Sequence, residues 1–133
     1  MRVRLGLCLV SLSLLAATAS AQTPDWSQAT SVEVDLSNFK FEPDTLSLKA
    51  GQPYVLHLVN KAGSGHDFEA KAFFAAAMVS PDDKAAVGDG SIELAGNGSR
   101  DIHFVAPAAG DYEIHCTHFM HASFGMKGRI TVQ

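Results

Sequence analysis

The sequence predicts an all-β fold, a Greek-key β-sandwich of seven to eight short strands with one short helical insertion. Apolar and polar residues alternate over short runs, as at Val32, Val34 and Leu36, which is the period of a strand with one buried face. Turn-forming residues separate these runs at regular spacing. The runs do not alternate with long helical segments, a rhythm that would indicate a parallel sheet. Together these patterns are typical of two packed sheets.

The strands can be placed in order along the chain. Predicted strands cover residues 31–41, 45–50, 54–60, 66–70, 91–95, 100–105, 111–117 and 128–133. Turn signals separate several of them, for example around Pro43, Pro53 and Asn97. Residues 71–79 break the alternation, and their phenylalanines and alanines predict a short helix that ends at Ser80.

Residues 1–21 are predicted to form a secretory signal peptide. Two arginines give this segment a positive start, residues 5–17 are apolar, and small residues ending at Ala21 fit a cleavage site. A membrane anchor is the alternative, but the apolar run is short for spanning a bilayer and ends in small residues. We therefore expect cleavage before Gln22 and a periplasmic protein with no stable membrane insertion.

The rest of the chain is long enough for one domain with a sizeable core. Residues 22–30 are polar and are predicted to form a flexible lead-in, and residues 31–133 are predicted to form the domain, which we expect to be a monomer. The whole chain has a formal net charge of −4, and the signal peptide takes two arginines with it. Because the sequence contains no basic patch, nucleic acid and anionic membrane surfaces are disfavoured as partners.

The signal peptide also removes one of the two cysteines and leaves Cys116. In an oxidising compartment a lone thiol pairs between chains, reacts, or binds a metal ion. Cys116 is followed closely by His118, His121 and Met126. A thiolate, imidazoles and a thioether form a ligand set that prefers copper over magnesium, calcium or manganese. The sequence therefore predicts a copper site, with one ion per chain.

The positions of these residues suit ligands that converge. Strand alternation places Cys116 on the same face as Tyr112 and Ile114, whose apolar character makes that face the core side. Four residues separate Cys116 from His121, and four more separate His121 from Met126. A loop of that size can curl so that all three side chains meet.

A fourth ligand must come from elsewhere, and His66 is the candidate. It follows a flexible, glycine-containing connection and opens a predicted strand. Two imidazoles and a thiolate with a distant methionine form an electron-transfer copper site. His118 is an alternative imidazole, although a single residue separates it from Cys116, and Met120 is an alternative to Met126 as the thioether.

For several other residues, some in this loop and some distant from it, the sequence allows more than one role. Phe119, Ala122 and Phe124 flank His121 and could either pack within the loop or form an exposed apolar patch around its edge. An exposed patch would suit brief docking with a redox partner through a small interface. Three further histidines alternate with apolar neighbours and are predicted to face solvent rather than to bind a second metal ion: His57, His103 and His115.

Two stretches resemble the copper-binding elements of the cupredoxin family. They are Gly65-His66-Asp67-Phe68 and, later, Gly110-Asp111-Tyr112 with Cys116-Thr117, His121 and Gly125-Met126-Lys127-Gly128. The resemblance covers about residues 32–132 and implies a cupredoxin-like sandwich with His66, Cys116, His121 and Met126 as copper ligands. It also implies one-electron transfer between Cu(II) and Cu(I) with transient redox partner proteins. Because no substrate chemistry is involved, we expect that the protein is not an enzyme.

The chain departs from the family pattern in two places. Asp67 stands where the family usually has Asn, whose amide braces the ligand loop. An ionised carboxylate cannot donate a hydrogen bond, so this departure bears on the bracing and on the reduction potential. His118 and Met120 lie in a loop that commonly carries Pro and Gly there, and either residue could bind a second copper ion.

The sequence thus predicts a periplasmic one-electron carrier. The alternative is a periplasmic copper-handling protein for copper sequestration, delivery or tolerance, which the additional His118 and Met120 keep open. A copper enzyme such as a nitrite reductase is disfavoured, because one short domain offers no evident second catalytic copper. The number of copper ions bound per chain separates the carrier from the copper-handling protein.

Overall fold

A computed structural model describes residues 22–133 of the chain. The predicted signal peptide, residues 1–21, lies outside these residues. Within the predicted lead-in, Trp26–Gln28 form a 3₁₀ turn that Asp25 caps by accepting a hydrogen bond from the amide of Ser27. No helix in residues 22–133 is both long and apolar enough to cross a membrane.

Within residues 22–133, ten strands form two five-stranded sheets. In chain order they are β1 (Thr30–Ser37), β2 (Lys40–Glu42), β3 (Thr45–Leu48), β4 (Pro53–Asn60), β5 (His66–Glu69), β6 (Met78–Val79), β7 (Ser91–Leu94), β8 (Ser99–Val105), β9 (Gly110–His115) and β10 (Lys127–Val132). The first sheet has the order β2-β1-β4-β8-β6 and the second the order β3-β10-β9-β5-β7. The predicted all-β sandwich is confirmed.

The strand count exceeds the predicted seven to eight for two reasons. The stretch predicted as one strand over residues 31–41 is divided into β1 and β2 by a turn in which Phe39 adopts a left-handed backbone conformation, with φ of 65°. In addition, β6 pairs with the end of β8 at Val105 and Phe104. The two extra strands lie at opposite edges of the first sheet, where short pairings depend on tertiary contacts rather than on local alternation.

The helical insertion is present, but it is shorter than predicted and is followed by a second helix. The first helix, α1, covers Lys71–Ala76, and the last predicted helical residues pair as β6 instead. The second helix, α2, is a single turn over Lys84–Val87, between the predicted helix and the predicted strand over residues 91–95. Its C-cap is Gly88, whose φ is 55°. A helix this short has little periodicity for the sequence to reveal.

Alternate residues of each strand build the core. In β4, Tyr54, Leu56 and Leu58 are buried and the residues between them are partly exposed, because successive side chains point to opposite faces. Phe73 of α1 packs edge to face on Phe104 of β8 and on Tyr112 of β9, with ring centroids 5.2 and 5.4 Å apart. Since β8 and β9 belong to different sheets, α1 joins the two layers at one side of the sandwich.

Two strands of the second sheet carry the predicted ligand residues to the same end of the sandwich. β5 begins at His66 and all four of its residues are buried. β9 ends one residue before Cys116, and the two strands pair at Glu69 and His115. The loop over residues 116–126 then connects β9 to β10 and holds the remaining predicted ligands.

Candidate metal centre

The side chains of His66, Cys116 and His121 converge. The Sγ atom of Cys116 lies 3.9 Å from Nδ1 of His66 and 3.4 Å from Nδ1 of His121. The two Nδ1 atoms are 3.1 Å apart. Residues 55 positions apart in the sequence therefore present one ligand atom each to a common point.

The spacing of these three atoms fits a single metal ion. A point equidistant from all three lies about 2 Å from each, which is the range of metal–nitrogen and metal–sulfur bonds. One soft sulfur ligand and two imidazoles suit copper far better than the hard cations magnesium or calcium. The donor set and its geometry thus fit the copper ion that the sequence predicts.

Met126 lies at the end of the ligand loop and is fully buried. Its amide donates to the carbonyl oxygen of His121 at 3.0 Å, and its carbonyl oxygen accepts from the amide of Cys116 at 3.2 Å. The preceding Gly125 has φ of 106°, which glycine adopts without strain. The backbone thereby holds Met126 beside both ligand-bearing residues. That His66, Cys116, His121 and Met126 are the copper ligands stays a prediction.

Burial sets the protonation of the candidate ligands. It raises the pKa of the Cys116 thiol to about 11, because a thiolate is poorly solvated inside the protein. Burial, with His121 as a further cause, lowers the pKa of His66 and so favours the neutral imidazole that binds metals. A metal ion that binds near neutral pH must therefore displace the proton of Cys116.

Asp67 ties together the two segments that carry these ligands. Its Oδ1 accepts from the amide of Thr117 at 2.6 Å, and its Oδ2 accepts from the hydroxyls of Thr117 and Ser91 at 2.6 and 2.7 Å. Burial acts to raise the pKa of Asp67, but these hydrogen bonds outweigh it and hold the pKa below its ordinary value. The carboxylate cannot donate, yet it braces the loop as an acceptor.

His118 is not one of the three converging residues. Its Nε2 atom lies 3.0 and 3.1 Å from the two carboxylate oxygens of Glu93, and its ring stacks on the ring of His121 with centroids 5.4 Å apart. A Cβ atom at Gly65 would lie 3.0 Å from Oε1 of Glu93 and 3.3 Å from the ring of His118, so glycine leaves room for this pair. The geometry favours His121 over His118 as the second imidazole.

The three histidines that were predicted to face solvent are partly exposed and each lies beside a carboxylate. The pairs are His57 with Asp101, His103 with Asp83, and His115 with Glu69. Within the part of the chain that the structure describes, none of these histidines belongs to a group of three or more potential metal ligands.

Exposed apolar side chains lie beside His121. Phe119 is 89% exposed and Phe124 60% exposed. Phe39, in the turn between β1 and β2, places its ring 5.2 Å from the rings of both His121 and Phe124. We call the exposed side chains of the ligand loop and this turn the apolar rim: Phe39, Phe119, Met120 and Phe124.

The rim corresponds only in part to the patch predicted from the sequence. Phe119 and Phe124 are exposed, whereas Ala122 is half-buried. The sequence interpretation missed Phe39, which it assigned to a continuous strand, and it missed Glu93 as the partner of His118. Both residues reach the site through the fold, from segments that are distant in sequence.

Comparison with known proteins gives a family and several structural relatives. A family model described as a cupredoxin-like domain matches residues 7–132. Reduced auracyanin from Roseiflexus castenholzii is similar over 79% of this chain and 98% of its own, with 24% sequence identity and a TM-score of 0.59. Auracyanin A from Chloroflexus aurantiacus, described as a "blue" copper protein, is similar over 79% of this chain and 99% of its own, with 21% identity and a TM-score of 0.55.

A larger protein shares the fold as well. A multicopper oxidase from Pseudomonas thermotolerans is similar over 84% of this chain but 31% of its own, with 20% identity and a TM-score of 0.63. The present chain therefore matches less than a third of the oxidase, and the likeness is one of fold. A search of curated protein sequences found no match.

Proposed function

The chain belongs to the cupredoxin-like family, and we propose that it is a mononuclear copper protein that carries single electrons between other proteins. The proposed ligands are His66, Cys116, His121 and Met126. We further propose that it works as a monomer in the periplasm. In a periplasmic extract, the mass of the protein should correspond to a chain that starts at Gln22, and recovery of the uncleaved chain in membranes would contradict this location.

The observation that carries the proposal is the convergence of one thiol and two imidazoles on a point about 2 Å from each ligand atom. When bound, copper supplies a one-electron couple, Cu(II)/Cu(I). The chain supplies rigidity, because His66 opens a fully buried strand and Cys116 directly follows β9. Ligands held in this way keep their positions in both oxidation states, so little rearrangement opposes electron transfer.

The surroundings of His121 favour exchange with protein partners. His66 and Cys116 are each 1% exposed, whereas His121 is half-buried and lies beside the apolar rim. Electrons would therefore enter and leave at the edge of His121. A small apolar surface suits short-lived complexes with redox partners, because a small interface releases its partner readily.

The alternative, a copper-handling protein, has one observation in its favour. Asp67, Glu93 and His118 form a second group whose potential ligand atoms lie within 4.8 Å of one another. However, both oxygens of Asp67 already accept hydrogen bonds, and Glu93 pairs with His118. The electron carrier is therefore the better-supported proposal.

Titration of the purified apoprotein with Cu(II) tests the proposal. One tightly bound ion per chain, with an intense visible absorption that disappears on reduction and returns on oxidation, is the expected result. Two or more exchangeable ions per chain would support copper handling instead. Cys116→Ala provides the control, since it should lose the visible absorption. A colourless wild-type product would contradict the electron carrier, and a protein that binds no copper would contradict both proposals.

A further inference from the structure

A buried carboxylate lies beside the metal centre without a cation to pair with. Asp67 is 2% exposed, and no ion pair among residues 22–133 includes it. Glu69, two residues later on the same strand, pairs with both Lys71 and His115. A buried charge without a counter-ion is costly even when it is hydrogen-bonded. A positive charge near Asp67 would therefore be stabilised by it.

The hydrogen bonds of Asp67 indicate that its buried carboxyl group is ionised. An amide N–H can only donate, so the short contact with Thr117 makes Oδ1 of Asp67 an acceptor. The hydroxyls of Thr117 and Ser91 donate to the other oxygen, and all three bonds are 2.6 to 2.7 Å long. Such short bonds are typical of an ionised acceptor.

The carboxylate is close in the chain to two of the ligands that the proposed function names. Asp67 directly follows His66, and its partner Thr117 directly follows Cys116. The surrounding protein is a medium of low polarizability, in which a charge acts over longer distances than in water. The carboxylate of Asp67 also interacts with the side chain of Cys116 itself. A metal ion bound by Cys116 would therefore be a positive charge close to Asp67.

We propose that Asp67 sets the reduction potential of the copper centre by stabilising Cu(II) relative to Cu(I). The inference rests on the proposed copper function and deepens it. Reduction adds one electron from a partner protein to Cu(II), the ligands stay bound, and the positive charge of the centre falls by one. A fixed negative charge opposes that loss, so it lowers the potential. Asp67 does this without binding the metal, as a positioning residue that also supplies charge.

Glu93 offers a matched control within the same protein. It also lies near the ligands, through its contact with His118, but its side chain is 62% exposed. Water and salt screen an exposed charge far more than a buried one. Asp67→Asn and Glu93→Gln each remove one negative charge with little change in shape. Only the first should have a large effect on the metal.

The test measures the dissociation constants for Cu(II) and Cu(I) by chelator competition, at low and at physiological salt, in wild type and both variants. In Asp67→Asn, the dissociation constant for Cu(II) divided by that for Cu(I) should rise about tenfold, so that Cu(I) is favoured. This change corresponds to a reduction potential about 59 mV higher in a redox titration. The shift should be the same at both salt concentrations. Glu93→Gln should give a smaller shift that salt abolishes. An unchanged ratio in Asp67→Asn, or one no larger than in Glu93→Gln, would overturn the inference.

Two further measurements keep the outcome clear. The amide proton of Thr117 in the apoprotein should stay hydrogen-bonded in Asp67→Asn, since the amide oxygen of Asn can accept it. If that variant does not fold, Ser91→Ala serves instead, because it keeps the charge of Asp67 and removes one hydrogen-bond donor to it. The dissociation constant for Cu(II) divided by that for Cu(I) should then fall, and a rise would overturn the inference. A wild-type protein that binds no copper would contradict the proposed function itself. A protein that binds copper normally, but whose ratio of dissociation constants does not change in Asp67→Asn, would contradict only the role of Asp67.

Discussion

The eight phenylalanines of the chain fall into two groups that differ in exposure. Phe41, Phe68, Phe73, Phe74 and Phe104 lie in the core, each no more than 6% exposed. Phe39, Phe119 and Phe124 are 42 to 89% exposed, and they lie in the ligand loop or in the turn whose Phe39 contacts His121. The same side chain therefore fills the interior at one place and covers the surface at another.

The difference separates rings that stabilise the fold from rings that, in the proposed function, contact redox partners. Burial of a large aromatic ring contributes a few kcal/mol to folding, whereas an exposed ring contributes little. Scattered exposed apolar residues are ordinary, but a cluster marks an interaction surface. The proposed ligands lie between the two groups: His66 and Cys116 are buried, and His121 contacts the rim through Phe39.

The largest effect is expected at this boundary. His66→Ala should abolish the intense visible absorption of the copper-loaded protein, because it removes one of the three converging ligand atoms. His118→Ala is the matched control and should keep most of that absorption, since His118 pairs with Glu93 instead. Absorption spectra of both variants at equal copper content make the comparison. The opposite pattern would mean that the imidazoles are wrongly assigned.

Truncation of a core ring should have the next largest effect. Phe104→Ala should lower the free energy of unfolding by about 3–5 kcal/mol, because it leaves a cavity beside Tyr54 and Phe73. Denaturant unfolding followed by circular dichroism measures the change. The absorption of any folded, copper-loaded variant should match wild type. A loss below about 1 kcal/mol would show that the core is less well packed than the structure indicates.

Truncation of a rim ring should leave stability nearly unchanged and affect electron exchange instead. Phe119→Ala should change the free energy of unfolding by no more than about 0.5 kcal/mol, since Phe119 is 89% exposed. Its second-order rate of electron exchange with a redox protein should fall severalfold in stopped-flow measurements. Met78→Ala, which removes an exposed apolar side chain from β6, should leave the rate unchanged. Equal rates for both variants would argue against docking at the rim.

The smallest effect is a pH dependence of apoprotein stability. Burial raises the pKa of Cys116 to about 11, so between about pH 9 and pH 11 the folded chain keeps a proton that the unfolded chain has lost. The free energy of unfolding should therefore fall as the pH rises through this range. Denaturant midpoints of wild type and Cys116→Ala, compared at each pH, isolate the contribution of the thiol. Parallel curves for the two proteins would contradict the raised pKa.

The sequence predicted those parts of the structure that depend on local pattern. Alternation placed Tyr112, Ile114 and Cys116 on one face, and in the structure Ile114 and Cys116 are buried while Tyr112 packs against the core. The loop spacing predicted that His121 lies close to Cys116, and the family resemblance supported His66 as a further ligand. In the structure both imidazoles lie within 4 Å of the sulfur of Cys116.

Other features could not be predicted because they depend on residues that meet only in the folded chain. The turn at Phe39 divides a stretch that was predicted as one strand, although the apolar positions shift there from even to odd numbers, from Leu36 to Phe39. The contact between His118 and Glu93 joins residues 25 positions apart, and nothing in the local sequence of either residue indicates the other as its partner. Asp67 appeared from sequence to weaken the brace of the ligand loop, because its acceptor role required knowledge of Thr117 and Ser91.

The most direct test of the central claim is an anomalous difference map, recorded at the copper absorption edge from crystals of the copper-loaded protein. The account predicts one strong peak per chain, enclosed by Nδ1 of His66, Sγ of Cys116 and Nδ1 of His121. A strong peak between His118 and Glu93 with none among the three converging atoms would contradict it.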